Sequence, residues 1–189
     1  MKAAIINAYG GSEQIVVAEQ AIPHIQQDEV LVENMATSIN PIDYKARQGL
    51  MQGMFQWQFP VTLGWDIAGR IVAVGQDVTN FKVGDAVFAR PDIDPTGRNG
   101  SYAEYTVVKA DKLAFKPENI TFNQAAAVPL AALTALQMLE KLQVKAGHKV
   151  LIQAGAGGVG IYAIQIAKLM GTYVATTASQ ANHDFVASL

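Results

Sequence analysis

Residues 150–179 read VLIQAGAGGVGIYAIQIAKLMGTYVATTAS: an apolar β-prone run, a glycine cluster, a helical run and a second β-prone run. Gly155-Ala156-Gly157-Gly158-Val159-Gly160 satisfies G-x-G-x-x-G between a strand expected at 150–153 and a helix expected at 161–170. That setting turns a weak pattern into a strong one. Gly155 is expected to permit a tight turn, Gly157 to let backbone approach a diphosphate, and Gly160 to let helix and strand pack closely. Free N–H groups at the helix start would then face an anion. Gly155, Ala156, Gly157, Gly158 and Val159 are therefore the candidate loop for a dinucleotide cofactor.

A ribose-binding carboxylate is expected about 20 residues on, at the end of the second strand. The segment there reads VATTASQANHD, with no acid before Asp184. Thr177, Ser179 and His183 could instead donate hydrogen bonds to a ribose phosphate, which favours NADPH over NADH. The alternative is that these are ordinary strand-end polar residues facing water, and no arginine stands nearby to complete the charge argument.

Upstream of residue 116 the texture differs. Short β-branched runs such as EVLVENMATSIN, IAGRIVAVG, DAVFA and YAEYTVV are punctuated by Gly, Pro, Asn and Asp, as in an all-β, partly barrel-like domain. Gly64, Gly69, Gly75 and Gly84 are expected at turns, bulges or close backbone approaches. From Asn123 the Ala- and Leu-rich NQAAAVPLAALTALQMLEKL suits a helix buried nearly all round and bent or restarted at Pro129. The expected division is 1–122 and 123–189.

The bulk properties narrow the function. Of 189 residues, 16% are charged and the net charge is -2, which leaves no surplus of positive charge for nucleic acid. With no cysteine, disulfides, thiolate nucleophiles and thiolate-bound zinc are excluded. No apolar run is long enough for a membrane span, and the N-terminus does not read as a signal peptide, so a cytoplasmic protein is expected.

On these motifs, together with NPIDYKARQG (40–49), LGWDIAGRIVAVG (63–75), VGDAVFA (83–89), GSYAEYTVV (100–108) and AAAVPLAALTALQML (125–139), the chain resembles the zinc-independent quinone oxidoreductase branch of the medium-chain dehydrogenase/reductase superfamily. The resemblance covers the whole chain and is strongest to members that reduce the carbon–carbon double bond of enones. It implies a GroES-like β-barrel-type catalytic domain, followed by the opening β-α-β part of a Rossmann fold that binds NADP(H). A small quinone or enone is the implied substrate, and a homodimer the implied assembly. The same likeness leads us to expect a truncated Rossmann fold in a fragment of a longer enzyme, with little activity of its own.

Zinc-dependent cousins carry Cys where Asn40 stands and Gly-His-Glu where this chain has Gly64-Trp65-Asp66, so no zinc is expected. The resemblance places Asn40, Pro41, Asp43 and Lys45 against the nicotinamide riboside. Lys45 reads either as a donor to the ribose or the substrate oxygen, or as a solvated surface lysine. Asp43 reads as a site residue or as the cap of the following helical turn. Thr134 aligns with a threonine near the nicotinamide but could bond its own helix. Tyr44, Trp57 and Trp65 would line a flat apolar pocket or pack in the core. One rival stays open, a non-enzymatic GroES-like module that self-associates; an NAD-dependent zinc alcohol dehydrogenase would need bound metal, which these residues do not assemble.

Overall fold

The computed structural model describes residues 1–93, 97 and 99–189. They form two compact units, Met1–Pro129 and Leu130–Leu189. The first is built on a five-stranded antiparallel sheet from β3 (Glu29–Thr37), β5 (Ile67–Val74), β6 (Ala86–Ala89), β7 (Tyr105–Lys109) and β8 (Leu113–Phe115), in the order β7-β3-β5-β6-β8. A three-stranded antiparallel sheet adds β1 (Lys2–Ile6), β2 (Ile15–Glu19) and β4 (Val61–Thr62) in the order β2-β1-β4. The two sheets meet where the Ala4 N–H donates to Tyr102 O at 2.7 Å and the Glu104 N–H to Lys2 O at 3.0 Å. This junction curls the sheets into the barrel-like form expected from the short-strand rhythm.

Alternation supplies the core. Val30 and Val32 on β3, Ile67 and Ile71 on β5, Val87 and Ala89 on β6, and Val108 on β7 turn inward with Phe81. Such side chains each contribute about 1.5–3 kcal/mol on full burial. Two irregularities in the β3–β5 pairing, at Leu31/Val32 and Asn34/Ala36, bend the sheet. Gly69 lies in β5, where an added Cβ would stand 2.0 Å from Glu33 O; the two backbones approach too closely there for any side chain.

The Ala-rich segment restarts at Pro129, one of the two forms expected, as α2 (Phe122–Ala126) and α3 (Pro129–Lys141). Thr121 caps α2, its hydroxyl accepting from the Gln124 N–H at 3.2 Å. Ala125 and Ala126 then pack on Ala68 of β5, beside Ala36 and Phe88. This packing ties α2 to the β unit, so the division falls at Pro129/Leu130, seven residues beyond the expected position. Proline at 129 cannot continue a helix but starts one readily, which sets the break.

In the second unit β9 (Lys149–Ile152) pairs in parallel with β10 (Tyr173–Thr176), connected by α4 (Gly158–Leu169). A short α5 (His183–Ala187) follows. Ala163, Ile164 and Ala167 are the buried stripe of α4. No helix among the described residues is long and apolar enough to cross a membrane.

Candidate active site

The glycine loop is held by the strand that follows its helix. The Ala154 N–H donates to Thr177 Oγ1 at 3.0 Å and the Gly155 N–H to Thr177 O at 2.9 Å. The Gly157 N–H closes the turn on Ala154 O at 2.9 Å. The left-handed conformation falls on Ala154 (φ 55) and not on Gly155, which corrects the role expected for that glycine. Gly155 is required for packing instead, since a Cβ there would lie 2.1 Å from Thr176 Oγ1 and 2.8 Å from Ile164 Cδ1. Gly160 is required likewise, with Ala154 O only 2.4 Å away.

Gly157 and Gly158 differ from these two. A Cβ on Gly157 would meet only Ala154 O at 3.2 Å, and one on Gly158 would meet nothing within 4 Å. Both residues are exposed, Gly157 as the N-cap of α4 and Gly158 as its first residue, while Ala156 and Val159 are half-buried. The first-turn N–H groups of residues 158–160 have no acceptor within the helix. They open onto an apolar cleft of about 490 Å³ lined by β9, α3, the loop and Ala163.

At the end of β10, Thr177, Ser179 and His183 are all exposed. Thr177 is engaged in holding the loop, Ser179 Oγ accepts from Asn182 Nδ2 at 3.1 Å, and His183 Nε2 lies 3.2 Å from Ala178 O. Asn182 joins this polar edge, a residue the sequence reading passed over. Thr134 is half-buried on α3 and donates to Leu130 O at 2.7 Å, one of the two roles open to it.

In the first unit, α1 (Pro41–Arg47) begins two residues before Asp43, with Pro41 at its first position and Asn40 as its N-cap. The Asn40 N–H donates to Asp43 Oδ2 at 2.5 Å, the reciprocal half of a capping box. Asn40 Nδ2 donates to Asp66 Oδ2 at 2.6 Å and to Ser38 Oγ at 3.1 Å; Ser38 Oγ also donates to Asp66 Oδ2. Thr37 Oγ1 donates to Asp66 O at 2.7 Å and shares a 2.8 Å bond with Ser101 Oγ. Gly64 (φ +103) makes room for this cluster, since a Cβ there would lie 2.3 Å from Ser101 Oγ and 2.6 Å from Tyr102 Cδ1.

Burial pushes the Asp43 carboxyl up to about 6, against the Asn40 N–H that holds it down; the nearby Asp66 adds to the rise. The Tyr102 hydroxyl is near enough to lower it, yet neither Asp43 Oδ1 nor Tyr102 Oη completes a hydrogen bond of good geometry. Burial first, then the Asp43 charge, pushes the Tyr102 hydroxyl well above the usual phenol range. An acid whose folded-state pKa is raised favours the fold below its unfolded value and loses that contribution as pH rises through 6. Asp43→Asn should therefore gain stability relative to the parent chain as pH rises from 4 to 7, by on the order of 1–2 kcal/mol after allowance for solvent screening. Thermal melts across that range check it; a difference independent of pH would contradict the assigned cause.

Lys45 and Tyr44 are exposed on α1. Trp57 and Trp65 are buried and stack in a cluster with Phe55 and Tyr9, with ring centroids 5.2 Å apart for Phe55–Trp57 and 6.0 Å for Trp57–Trp65. Packing accounts for both tryptophans, whereas Tyr44 offers its ring to solvent.

Comparison with known proteins gives a consistent picture. Residues 26–118 match the alcohol dehydrogenase GroES-like domain family. The whole chain is 40% identical over 195 residues to a chloroplastic NADPH-dependent alkenal/one oxidoreductase of Arabidopsis thaliana, covering 50% of that protein. It superposes along its entire length on a quinone oxidoreductase of Coxiella burnetii (TM-score 0.89, 39% identity, 59% of that chain). It does so too on the Escherichia coli quinone oxidoreductase solved with NADPH (TM-score 0.86, 33% identity, 56% of that chain). The chain thus spans about half the length of the relatives it matches. The GroES-like domain match at 26–118 lies within a likeness to quinone and alkenal/one oxidoreductases that runs from one end of the chain to the other.

Proposed function

We propose that the protein is an NADPH-dependent reductase of quinones or α,β-unsaturated carbonyls that works without zinc. The observation carrying this reading is Gly158, whose missing side chain serves nothing inside the protein and leaves the first-turn amides of α4 open to a ligand. Those amides would hold the cofactor diphosphate. Hydrogen-bonding side chains at Ser179, Asn182 and His183, with the first acid only at Asp184, suit a phosphorylated ribose better than a bare one.

The bound cofactor supplies a hydride to the electron-poor carbon of the substrate. The residues of this chain must then steady the negative charge that builds on the substrate oxygen. Lys45 is assigned that task, because it is an exposed cation on the helix whose first turn Asn40 and Asp43 fix. Solvent completes the reaction by protonating carbon. Asn40 and Trp65 stand where zinc-dependent cousins carry Cys and His; the Asn40 amide is engaged by Asp66 at 2.6 Å and Trp65 packs on Trp57, which leaves neither a thiolate nor an imidazole.

NADPH oxidation by the natural protein, with an enone and with a quinone as acceptor, tests the reading. Turnover with at least one acceptor is expected, falling about 10–100-fold in Lys45→Ala. No turnover with either would overturn it. The homodimer implied by the resemblance, and the cytoplasmic location expected from the sequence, belong to the same proposal. Sedimentation with and without NADPH separates that homodimer from a self-associating module indifferent to cofactor.

A further inference from the structure

The geometry points to Asp66 as a positioning residue, one that fixes the segment between β3 and α1 and thereby sets where the first turn of α1 presents its reactive side chains. Asp66 is 0% exposed and stands just ahead of β5, in the floor of the first unit. Its main-chain carbonyl holds Thr37, and its carboxylate holds both Ser38 and Asn40. One residue thus clamps three of four consecutive positions leading into the helix. The fourth, Ile39, is 84% exposed between two clamped neighbours. A large apolar side chain in that setting is displayed and cannot fold inward.

The clamp reaches α1 through Asn40, whose N–H donates to Asp43 Oδ2 and whose carbonyl accepts from the Asp43 N–H at 3.0 Å. Tyr44 and Lys45 follow directly. Both donors meet one and the same oxygen, Asp66 Oδ2, and its negative charge strengthens each bond. Asparagine has the same shape but can offer those two donors only a neutral amide oxygen, a weaker acceptor for both. Replacing the charge also acts on Asp43, because Asp66 is one of the groups that raise it. The others facing Asp43 are the Tyr102 hydroxyl, the Gly64 backbone and the Asn40 N–H, while Arg47 lies one turn further along α1.

This inference rests on the reductase reading for its catalytic consequence, though not for the clamp itself. The test therefore has two arms, using Asp66→Asn and, as a milder variant that keeps the buried acid, Ser38→Ala. In the first arm amide hydrogen exchange is followed in the chain. Exchange over residues 38–45 should quicken about tenfold or more in Asp66→Asn and less in Ser38→Ala, with β7 and β9 unaltered. Unchanged exchange at 38–45 in both folded variants would overturn the clamp. In the second arm NADPH-dependent turnover is measured against pH. Asp66→Asn should lower kcat about tenfold with KM for NADPH moved less than about threefold, and shift the acidic limb of the profile to lower pH. Quickened exchange with kcat and pH profile both unaltered would overturn the positioning role. If Asp66→Asn does not fold, Ser38→Ala decides by the same readouts. Absence of turnover in the parent protein would instead count against the reductase reading, and the exchange arm would still decide the clamp.

Discussion

Gly158→Asp is expected to abolish NADPH binding while leaving the thermal stability of the chain unchanged or slightly raised. The side chain has room, since nothing lies within 4 Å of the position its Cβ would take. Residue 158 opens α4, where a negative charge is favourable to the helix by about 0.3–1 kcal/mol. The same charge would stand where the account puts a diphosphate. Repulsion between like charges in a partly enclosed cleft, together with loss of space, should weaken binding at least about 100-fold. Gly155→Ala and Gly160→Ala form the contrast. Their Cβ atoms would lie 2.1 Å from Thr176 Oγ1 and 2.4 Å from Ala154 O, so both should cost about 1–3 kcal/mol of stability before any ligand is added. Calorimetric titration alongside thermal melts separates the two classes. Normal NADPH binding by Gly158→Asp would remove the reason for that glycine.

Ser179→Asp is expected to reverse the cofactor preference. The end of β10 carries hydroxyls, an amide and an imidazole, all exposed, and its first acid is Asp184 in the first turn of α5. An aspartate at 179 would accept from ribose hydroxyls and repel a phosphate in their place. Loss of one charge-assisted contact and gain of a repulsion together amount to about 3 kcal/mol, or a change of more than about 100-fold in the NADPH-to-NADH affinity ratio. Asn182 loses its Ser179 Oγ partner to a carboxylate oxygen at similar reach, so the local turn should survive. An unaltered ratio would show that the cofactor's adenosine end lies elsewhere.

The glycine loop was legible in sequence because its requirements are local. Strand, bare turn and helix follow one another within a dozen residues, and Gly155 and Gly160 are glycines for steric reasons that hold wherever a strand meets a helix so closely. The left-handed turn on Ala154 was not legible, because Thr177 secures it from 23 residues away. Nor was the placement of α2 with the β unit: its composition matches that of α3, and only contact with Ala68 distinguishes the two. Asp66 reads in sequence only as the end of the Gly64-Trp65-Asp66 triplet, whereas its partners Ser38 and Asn40 lie 28 and 26 residues earlier. The available signal was an acid directly ahead of a strand that opens on the buried Ile67, Ala68 and Gly69, where an unpaired charge would be costly. Trp57 and Trp65 were ambiguous for a related reason, since a flat pocket and an aromatic core call for the same residue types.

Amide resonances of Gly158, Val159 and Gly160, followed by NMR as NADPH is added to the chain, test the diphosphate assignment most directly. Donation to an anion should move all three downfield, saturably and together, with smaller changes at Ser179 and Asn182. Resonances that stay in place up to millimolar NADPH, or that move only outside α4 and β10, would contradict it.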